Sequence, residues 1–596
     1  MANNTPIVVD EGRTDLISKN SQDNIHNYYL RDDETIQEGY ARASYSYTKH
    51  DEALSQRIYD YVSKKWFMFA SPVFSNAPKV GEKFKGMPIS CFLTYVPDTL
   101  KGLIDHTDEL RWMSVKGGGV GGHWSDVRSM SDVAPSPIPF LKTIDADMMA
   151  YRQGKTRKGS YASYMDVSHP DILEFVNMRI PTGDINRKCL NLHHAVNITD
   201  EFMVAVENNL DWNLIDPNDR TIRDTLKARE LWELLLETRY RTGEPFLLFI
   251  DTAQRAMPQS NFLKLRGSNL CIEIMQPANE ERSPVCCLSS INLAKWDEWK
   301  DDKNFIADLV EFLDCVMGAF IENAPEELSK SKFAAIKERS LGLGTMGYHS
   351  LLQSKSIPFA SQESFDLNDI IFEKIKTEAL NKSIELGQTL GIAEDTKDLN
   401  NPRRNANILA IAPNASSSTL LGVSPSIEPI RANAYVHRTR NGTAGIKNES
   451  LRTVLEAHGK NDEATWGIIV ASNGSVQGLD FLTDHEKDVF KTAMEICQIK
   501  LIQLAARRQK WVCQSQSLNV FIKAKEDKIM LNKIHYLAWK LGVKSLYYLR
   551  TEASNRVDNI GQKVERVELA LDNELNKRFI IPEAPEEESG CVACEG

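Results

Sequence analysis

From about residue 66 to 575 short apolar runs alternate with amphipathic stretches. Phe246–Ile250 (FLLFI) and Asn407–Ala412 (NILAIA) have the length and composition of buried strands. Between about Phe365 and Leu390, the residues Phe372, Ile375, Ala379, Leu386 and Leu390 recur on one face, and Gly391 stands where a helix would be capped. Leu531, Ile534, Ala538 and Leu541 form a second helical stripe, followed by Gly542 and the strand-like VKSLYYL. Helix and strand alternating in this way predict an α/β architecture, and periodicity does not choose between a barrel and an open sheet. Residues 1–65 are more polar and predict short helices packed on a larger body. The last residues, IPEAPEEESGCVACEG, bury almost nothing and predict a mobile tail.

Composition narrows the class. With 42% hydrophobic and 26% charged residues, the chain has the make-up of an ordinary globular protein. No apolar run approaches the length of a membrane span, and the opening MANNTPIVVDEGRTDL does not read as a secretory signal. A net charge of -11 lacks the field of a general nucleic-acid or anionic-membrane binder. Ten Cys in 596 residues are too sparse for a disulfide scaffold. A reducing compartment is therefore expected, where a clustered Cys is more often chemical than structural.

Five cysteines stand in suggestive settings. Cys591-Val-Ala-Cys594 can close a disulfide or share a metal, but the tail offers no further ligand for a structural zinc site. A tethered dithiol that carries electrons to a buried partner fits better than zinc, and an incidental pair is the bland alternative. In Ser268-Asn-Leu-Cys-Ile-Glu273, an extended backbone would turn Asn269, Cys271 and Glu273 to one side. That face would offer an amide, a thiol and a carboxylate to one ligand; a half-buried strand with a core Cys is the alternative. PVCCLSSINL carries the vicinal Cys286 and Cys287, which taken alone read as core.

Three further segments bear on phosphates and radicals. Ile411-Ala-Pro-Asn-Ala-Ser-Ser-Ser-Thr419 places hydroxyls and amides in a loop after an apolar strand, which suits a phosphate cradle or a helix cap equally. Lys116-Gly-Gly-Gly-Val-Gly-Gly122 permits close backbone packing without matching a nucleotide fingerprint. Arg152–Gly159 is a basic loop between glycines, suited to a clamp on a nucleotide or to plain solvation. Tyr547 and Tyr548 lie side by side in the last strand candidate, an arrangement that matters only if a radical must travel.

Taken together, PISCFL around Cys91, SNLCIEI around Cys271, VCCLSSINL around Cys286, APNASSS around Ser416, QSQSLN at 514–519, LYYLRT around Tyr547 and the terminal CVAC resemble the large (α, catalytic) subunit of class I ribonucleotide reductase. The resemblance runs from about residue 66 to the end. It implies a ten-stranded α/β barrel of two five-stranded halves with a central finger loop, over about 66–575, between an N-terminal helical region (1–65) and a flexible redox tail (576–596).

For this chain the resemblance implies reduction of ribonucleoside diphosphates to 2′-deoxyribonucleoside diphosphates by thiyl-radical chemistry. Cys271 matches the transient thiyl radical, Glu273 the base on the 3′-hydroxyl, and Asn269 the hydrogen-bonding amide. Cys91 and Cys286 match the reducing pair, while Cys287 matches no required thiol and reads as structural. Tyr547 and Tyr548 match the radical relay, and Cys591 and Cys594 the tail that re-reduces the site through thioredoxin or glutaredoxin. Ser71, Ser90, Asn414, Ala415, Ser416, Ser417 and Ser418 match the diphosphate contacts, although many relatives carry an acid where Ala415 stands. Asp98, Arg128, Gln153, Lys155 and Arg157 match the region where a deoxynucleoside triphosphate sets substrate choice across a homodimer.

No cofactor or metal is expected in the chain itself, since the radical comes from a metal-containing small (β) subunit. The N-terminal region does not resemble the ATP-binding cone of many relatives, so no overall activity switch is expected. The expected location is the cytoplasm of a bacterium or of a virus-infected host, with no membrane and no nucleic-acid partner. The alternatives are a cobalamin-dependent reductase of the same barrel and a non-catalytic nucleotide-binding regulatory subunit.

Overall fold

The computed structural model describes residues 5–552 except 32, 90, 133, 154–156, 440–441 and 525. Five strands, Cys91–Tyr95, Gly119–His123, Tyr161–Asp166, His193–Ile198 and Phe246–Phe249, run parallel in that order. Their residues are almost all buried, as expected of parallel strands covered on both faces. A second series begins with Leu288–Asn292 parallel to Gly342–Met346. It continues through single parallel bridges from Leu343 to Leu409 and from Ile411 to Gln516, and through Val520–Ile522 parallel to Leu549–Thr551.

Two antiparallel seams join the series. Val285–Cys286 pairs with Cys91–Phe92 at one edge, and Ser545–Leu546 with Leu247–Leu248 at the other. The result is an α/β barrel of two five-membered halves.

Helices cover the barrel where the apolar stripes predict them. The long helix is Gln362–Leu390, capped by Ser361 and ended at Gly391 with φ of 97°. The later stripe forms Lys528–Lys540, with Leu531, Ile534 and Ala538 buried.

The N-terminal helices Lys19–Tyr28, Ile36–Thr48 and Glu52–Ser63 dock on the barrel. Arg57 spans to Asp308 at 2.6 Å, and the buried Arg42 pairs with Glu34 at 2.7 Å while donating to the carbonyls of Phe74 and Ala77. Residues of 434–490 enclose a small separate core around Leu451, Leu455, Trp466 and Phe490. No helix among the described residues is long and apolar enough to cross a membrane.

Four local expectations change. Ile250 opens a helix rather than closing its strand, because the chain turns outward at Phe249. Asn407–Ala412 makes only isolated bridges, its register being held partly by the Cys513 sulfur, which accepts from Ile408 N and Leu409 N at 3.2 Å each. The serine run is not a loop: Ala415–Leu421 is helical behind Asn414 at φ of 56°. VKSLYYL is two short strands, 545–546 and 549–551, and Tyr547 and Tyr548 sit between them.

Candidate functional site

The centre of the barrel is filled by the segment around 268–275, which is a tight turn and not the extended strand that period-2 spacing would need. Ile272 has φ of 62°, unusual for a β-branched residue and costing on the order of 1–3 kcal/mol, so its surroundings must hold it there. Ser545 Oγ donates to Ile272 O at 2.9 Å and Ser517 Oγ to Cys271 O at 2.7 Å. Ser515 N donates to Glu273 O at 2.8 Å, and Tyr164 Oη to Asn269 O at 2.5 Å. Asn269 closes the turn from within, its Oδ1 accepting from Glu273 N and Ile274 N at 3.1 Å each.

The glycine run makes room for this turn. A Cβ at Gly121 would lie 1.9 Å from Ser268 O and 2.8 Å from Asn269 Cα. The loop therefore reaches the barrel axis only because Gly121 carries no Cβ.

Four predicted residues meet beside the turn. Strand register sets Cys286 directly across from Cys91, and both side chains are buried thiols, not a disulfide. Directly opposed antiparallel residues have Cα atoms about 4.5–5.5 Å apart, within the range that a disulfide spans. Ligand atoms of Cys91, Cys286 and Glu273 lie within 4.8 Å of one another. Asn269 Nδ2 approaches Cys91 Sγ at 3.6 Å.

Oε2 of the Glu273 carboxyl lies 3.2 Å from Ser517 Oγ, whose one hydrogen goes to Cys271 O, while Oε1 has no hydrogen-bond partner. Burial first, and Cys91 beside it, push the Glu273 carboxyl up to about 8. Burial, with Cys91 next, also pushes the Cys286 thiol well above its ordinary value. Glu273 is thus a dry carboxyl able to hold or release a proton near neutrality, beside a Cys286 thiol that burial keeps protonated.

The third cysteine of the site, Cys271, faces the tyrosines. Tyr547 Oη donates to Cys271 Sγ at 3.4 Å, and the rings of Tyr547 and Tyr548 stand 4.3 Å apart at 55°. Phe246 packs on both, at 4.6 and 4.9 Å. A continuous line runs from buried sulfur through two phenols to Tyr548, which is 8% exposed.

Cys287 points elsewhere, its sulfur meeting Leu313 O at 3.5 Å. Asn414 ties the short serine helix to the barrel, accepting from Ser290 Oγ at 2.9 Å and donating to Thr345 O at 3.1 Å. Ser417 and Ser418 are buried, Ser416 and Ala415 are half-buried, and Ser71 heads a short helix with its hydroxyl 2.9 Å from Tyr29 Oη.

Asp98 and Arg128 pair with each other, Nε to Oδ2 at 2.9 Å. Gln153 and Arg157 face each other across a two-stranded hairpin. Ser90, Lys155, Cys591 and Cys594 lie outside the described residues.

Sequence reasoning passed over several contributors. Ser517, Ser515 and Gln514 hold the turn, Gln514 Oε1 accepting from Met275 N at 3.1 Å. QSQSLN was visible as a motif, but hydroxyls and amides there gave no hint of which backbone they would reach. His193 and Glu244 also adjoin Tyr548, and no local signal marked them.

The family described as the ribonucleotide reductase barrel domain matches residues 89–398 and 396–549, and the one described as the ribonucleotide reductase all-alpha domain matches 18–82. A Frog virus 3 (isolate Goorha) protein, provisionally named a ribonucleoside-diphosphate reductase large subunit, is 47% identical over 94% of this chain and 95% of its own. The large subunit of Invertebrate iridescent virus 3 is 38% identical over 99% and 100%. Among solved structures, an Actinobacillus ureae class Id ribonucleotide reductase α subunit superposes with a TM-score of 0.80 at 33% identity, covering 91% of this chain and 98% of that one.

Proposed function

The chain belongs to the ribonucleotide reductase large-subunit family, and from that premise we propose that it reduces ribonucleoside diphosphates at C2′ by thiyl-radical chemistry. The observation that carries the reading is the convergence of Cys91, Cys286 and Glu273 within 4.8 Å, beside a turn whose Cys271 sulfur is 3.4 Å from a tyrosine.

Each group has a task that its surroundings suit. Cys271 takes the 3′-hydrogen as a transient thiyl radical, sulfur being apt because its S–H bond is close in strength to the C–H bond it breaks. Glu273 receives the 3′-hydroxyl proton and later returns it to O3′, while Cys91 and Cys286 give one hydrogen to the departing 2′-hydroxyl, which leaves as water, and one to C2′, and supply the two electrons, leaving a disulfide. Asn269 orients Cys91. Cys271 then returns the hydrogen to C3′.

The diphosphate is assigned to Ser71, Ser90 and the Asn414–Ser418 segment. Asp98, Arg128, Gln153, Lys155 and Arg157 are assigned to a deoxynucleoside triphosphate that sets substrate choice in a homodimer. Tyr548 and Tyr547 relay the radical from a metal-containing partner subunit, and Cys591 and Cys594 return electrons from thioredoxin or glutaredoxin. A cytoplasmic location suits this reaction and these reductants, and 1–65, 66–575 and 576–596 are assigned as helical region, catalytic barrel and redox tail.

The test is formation of dCDP from CDP with ATP as effector and dithiothreitol as reductant, the metal-loaded partner added or omitted. Product only with the partner, abolished by Cys271→Ser, is expected. Turnover supported by adenosylcobalamin without a partner would replace the relay with the cobalamin chemistry, and turnover by Cys271→Ser would refute the radical role.

A further inference from the structure

Tyr548 is bounded by a half-buried imidazole backed by a buried carboxylate, a pair that the relay does not account for. Strand His193–Ile198 and the bend before strand Phe246–Phe249 bring His193 and Glu244 together, with His193 Nδ1 2.7 Å from Glu244 Oε1. The same Nδ1 is 3.3 Å from Tyr548 Oη.

Glu244 is 1% exposed, and its second oxygen accepts from His194 N at 3.1 Å, with Arg179 Nε 3.5 Å away. Burial alone would raise this carboxyl, but Arg179, His193 and His194 outweigh it and hold the group well below the ordinary range. Glu244 is therefore an anion that can only accept hydrogen bonds.

That fixes the proton on His193. A nitrogen facing a carboxylate must carry hydrogen, so Nδ1 is the N–H of the ring; its single hydrogen goes mainly to Glu244 Oε1 at 2.7 Å and is shared with Tyr548 Oη at 3.3 Å, and no lone pair is left there for Tyr548. Tyr548 Oη is then the acceptor, and its own hydroxyl hydrogen is turned away from the imidazole. Packing reinforces the placement: His193 and Tyr548 meet edge to face at 6.0 Å, and the Arg550 guanidinium lies 4.1 Å over the Tyr548 ring.

We propose that His193, held in one tautomer by Glu244, is a positioning residue for radical transfer: its Nδ1–H, shared between the Glu244 carboxylate and Tyr548 Oη, donates to that oxygen in both the phenol and the phenoxyl state. The inference rests on the relay reading given above. Tyr548 gives one electron and one proton to the radical oxidant of the metal-containing partner subunit. It is restored by one electron and the hydroxyl proton of Tyr547, which in turn takes the hydrogen of Cys271, leaving the thiyl radical. His193 keeps its proton at every step. By occupying one side of Oη it leaves the other to the hydrogen in transit, so that electron and proton move along the same line of residues.

The experiment has two arms on the full chain. In the first, 3-fluorotyrosine replaces Tyr548 and its fluorine resonance is recorded without any partner, in the otherwise unchanged protein and with His193→Phe, His193→Gln or Glu244→Gln. A resonance moved by His193→Phe and by Glu244→Gln, and returned by His193→Gln, whose amide also donates, is expected. In the second, dCDP formation with the partner should fall about tenfold in kcat for His193→Phe with KM for CDP unchanged, the size expected for one lost hydrogen bond at a reacting group. His193→Gln should recover most of it.

An unmoved resonance, or His193→Gln no better than His193→Phe in either arm, would overturn the proposal and reduce His193 to packing. Because the fluorine arm needs neither partner nor turnover, failure of the relay itself would appear as an inactive parent enzyme with the His193 response intact.

Discussion

The hydroxyl of Tyr547 donates to the sulfur of Cys271 at 3.4 Å, although 276 positions separate them in the chain. The contact exists because strand Ser545–Leu546 closes the barrel against Leu247–Leu248 just as the turn at Ile272 lifts Cys271 to the axis. A hydroxyl on a sulfur at that range is what hydrogen-atom exchange between them requires. Replacing Tyr547 by Phe keeps the ring and its packing on Phe246 while removing the exchangeable hydrogen. Turnover of CDP with the radical partner should drop by at least about 1,000-fold, as for loss of a group needed only in the reacting state. Thermal stability and nucleotide binding should be nearly unchanged. A radiochemical dCDP assay beside a melting curve checks both.

Glu273 makes the rate depend on pH. With its carboxyl pushed up to about 8 by burial and by Cys91, the free enzyme holds it protonated at pH 7. A proton acceptor in that state gains competence as pH rises, so kcat/KM for CDP should climb through about pH 8. Glu273→Gln should lose both the activity and the ascending limb. Stability moves the opposite way: the folded chain binds the extra proton between the ordinary 4.5 and about 8, so this group's contribution falls as pH rises through that window. Glu338, also pushed up to about 8 by burial, adds to the same trend. Glu273→Gln should therefore lose less stability than the parent between pH 5 and 8, read from denaturant midpoints at a series of pH values.

Cys91 and Cys286 face each other across one antiparallel pair, so one turnover should leave them as a disulfide. Enzyme reduced beforehand and given substrate and partner without reductant should form product and stop. Labelling with iodoacetamide should then find this pair blocked. With both Cys591 and Cys594 changed to Ser, steady turnover should persist with dithiothreitol and vanish with thioredoxin or glutaredoxin. Equal loss with all reductants would mean that the tail has another task.

Gly121 separates the turn from the strand beneath it. A methyl group there would meet Ser268 O at 1.9 Å, a contact with backbone that no rotamer relieves. Gly121→Ala should cost at least about 1–3 kcal/mol of stability, the usual penalty of overpacking a filled interior. It should also abolish turnover by displacing Cys271 from Tyr547. Calorimetry measures the first effect, and the dCDP assay the second.

The sequence by itself determined the α/β class and two of the helical stripes, and it named the candidate redox residues. Those features are local: a stripe of apolar residues at helical period commits its own segment, and a motif names its own side chains. Gly119–Gly122 could be read as a place of close approach, because an absent Cβ is a local fact with one meaning. What approaches it was not legible.

Tertiary structure decided the rest. The spacing of Asn269, Cys271 and Glu273 suggested one face of a strand; the fold instead bends that segment through a left-handed Ile272 and uses serines from 515, 517 and 545 to hold the bend. A residue 240 or more positions away can pay for a local conformation that propensity disfavours, and no window of sequence contains that residue. Likewise the pairing of Cys91 with Cys286, the raised proton affinity of Glu273 and the reach of His193 to Tyr548 come from barrel closure, which sets strand register and removes water. Register and dryness are properties of the assembled core, and the order of residues along the chain specifies them only once the core has formed.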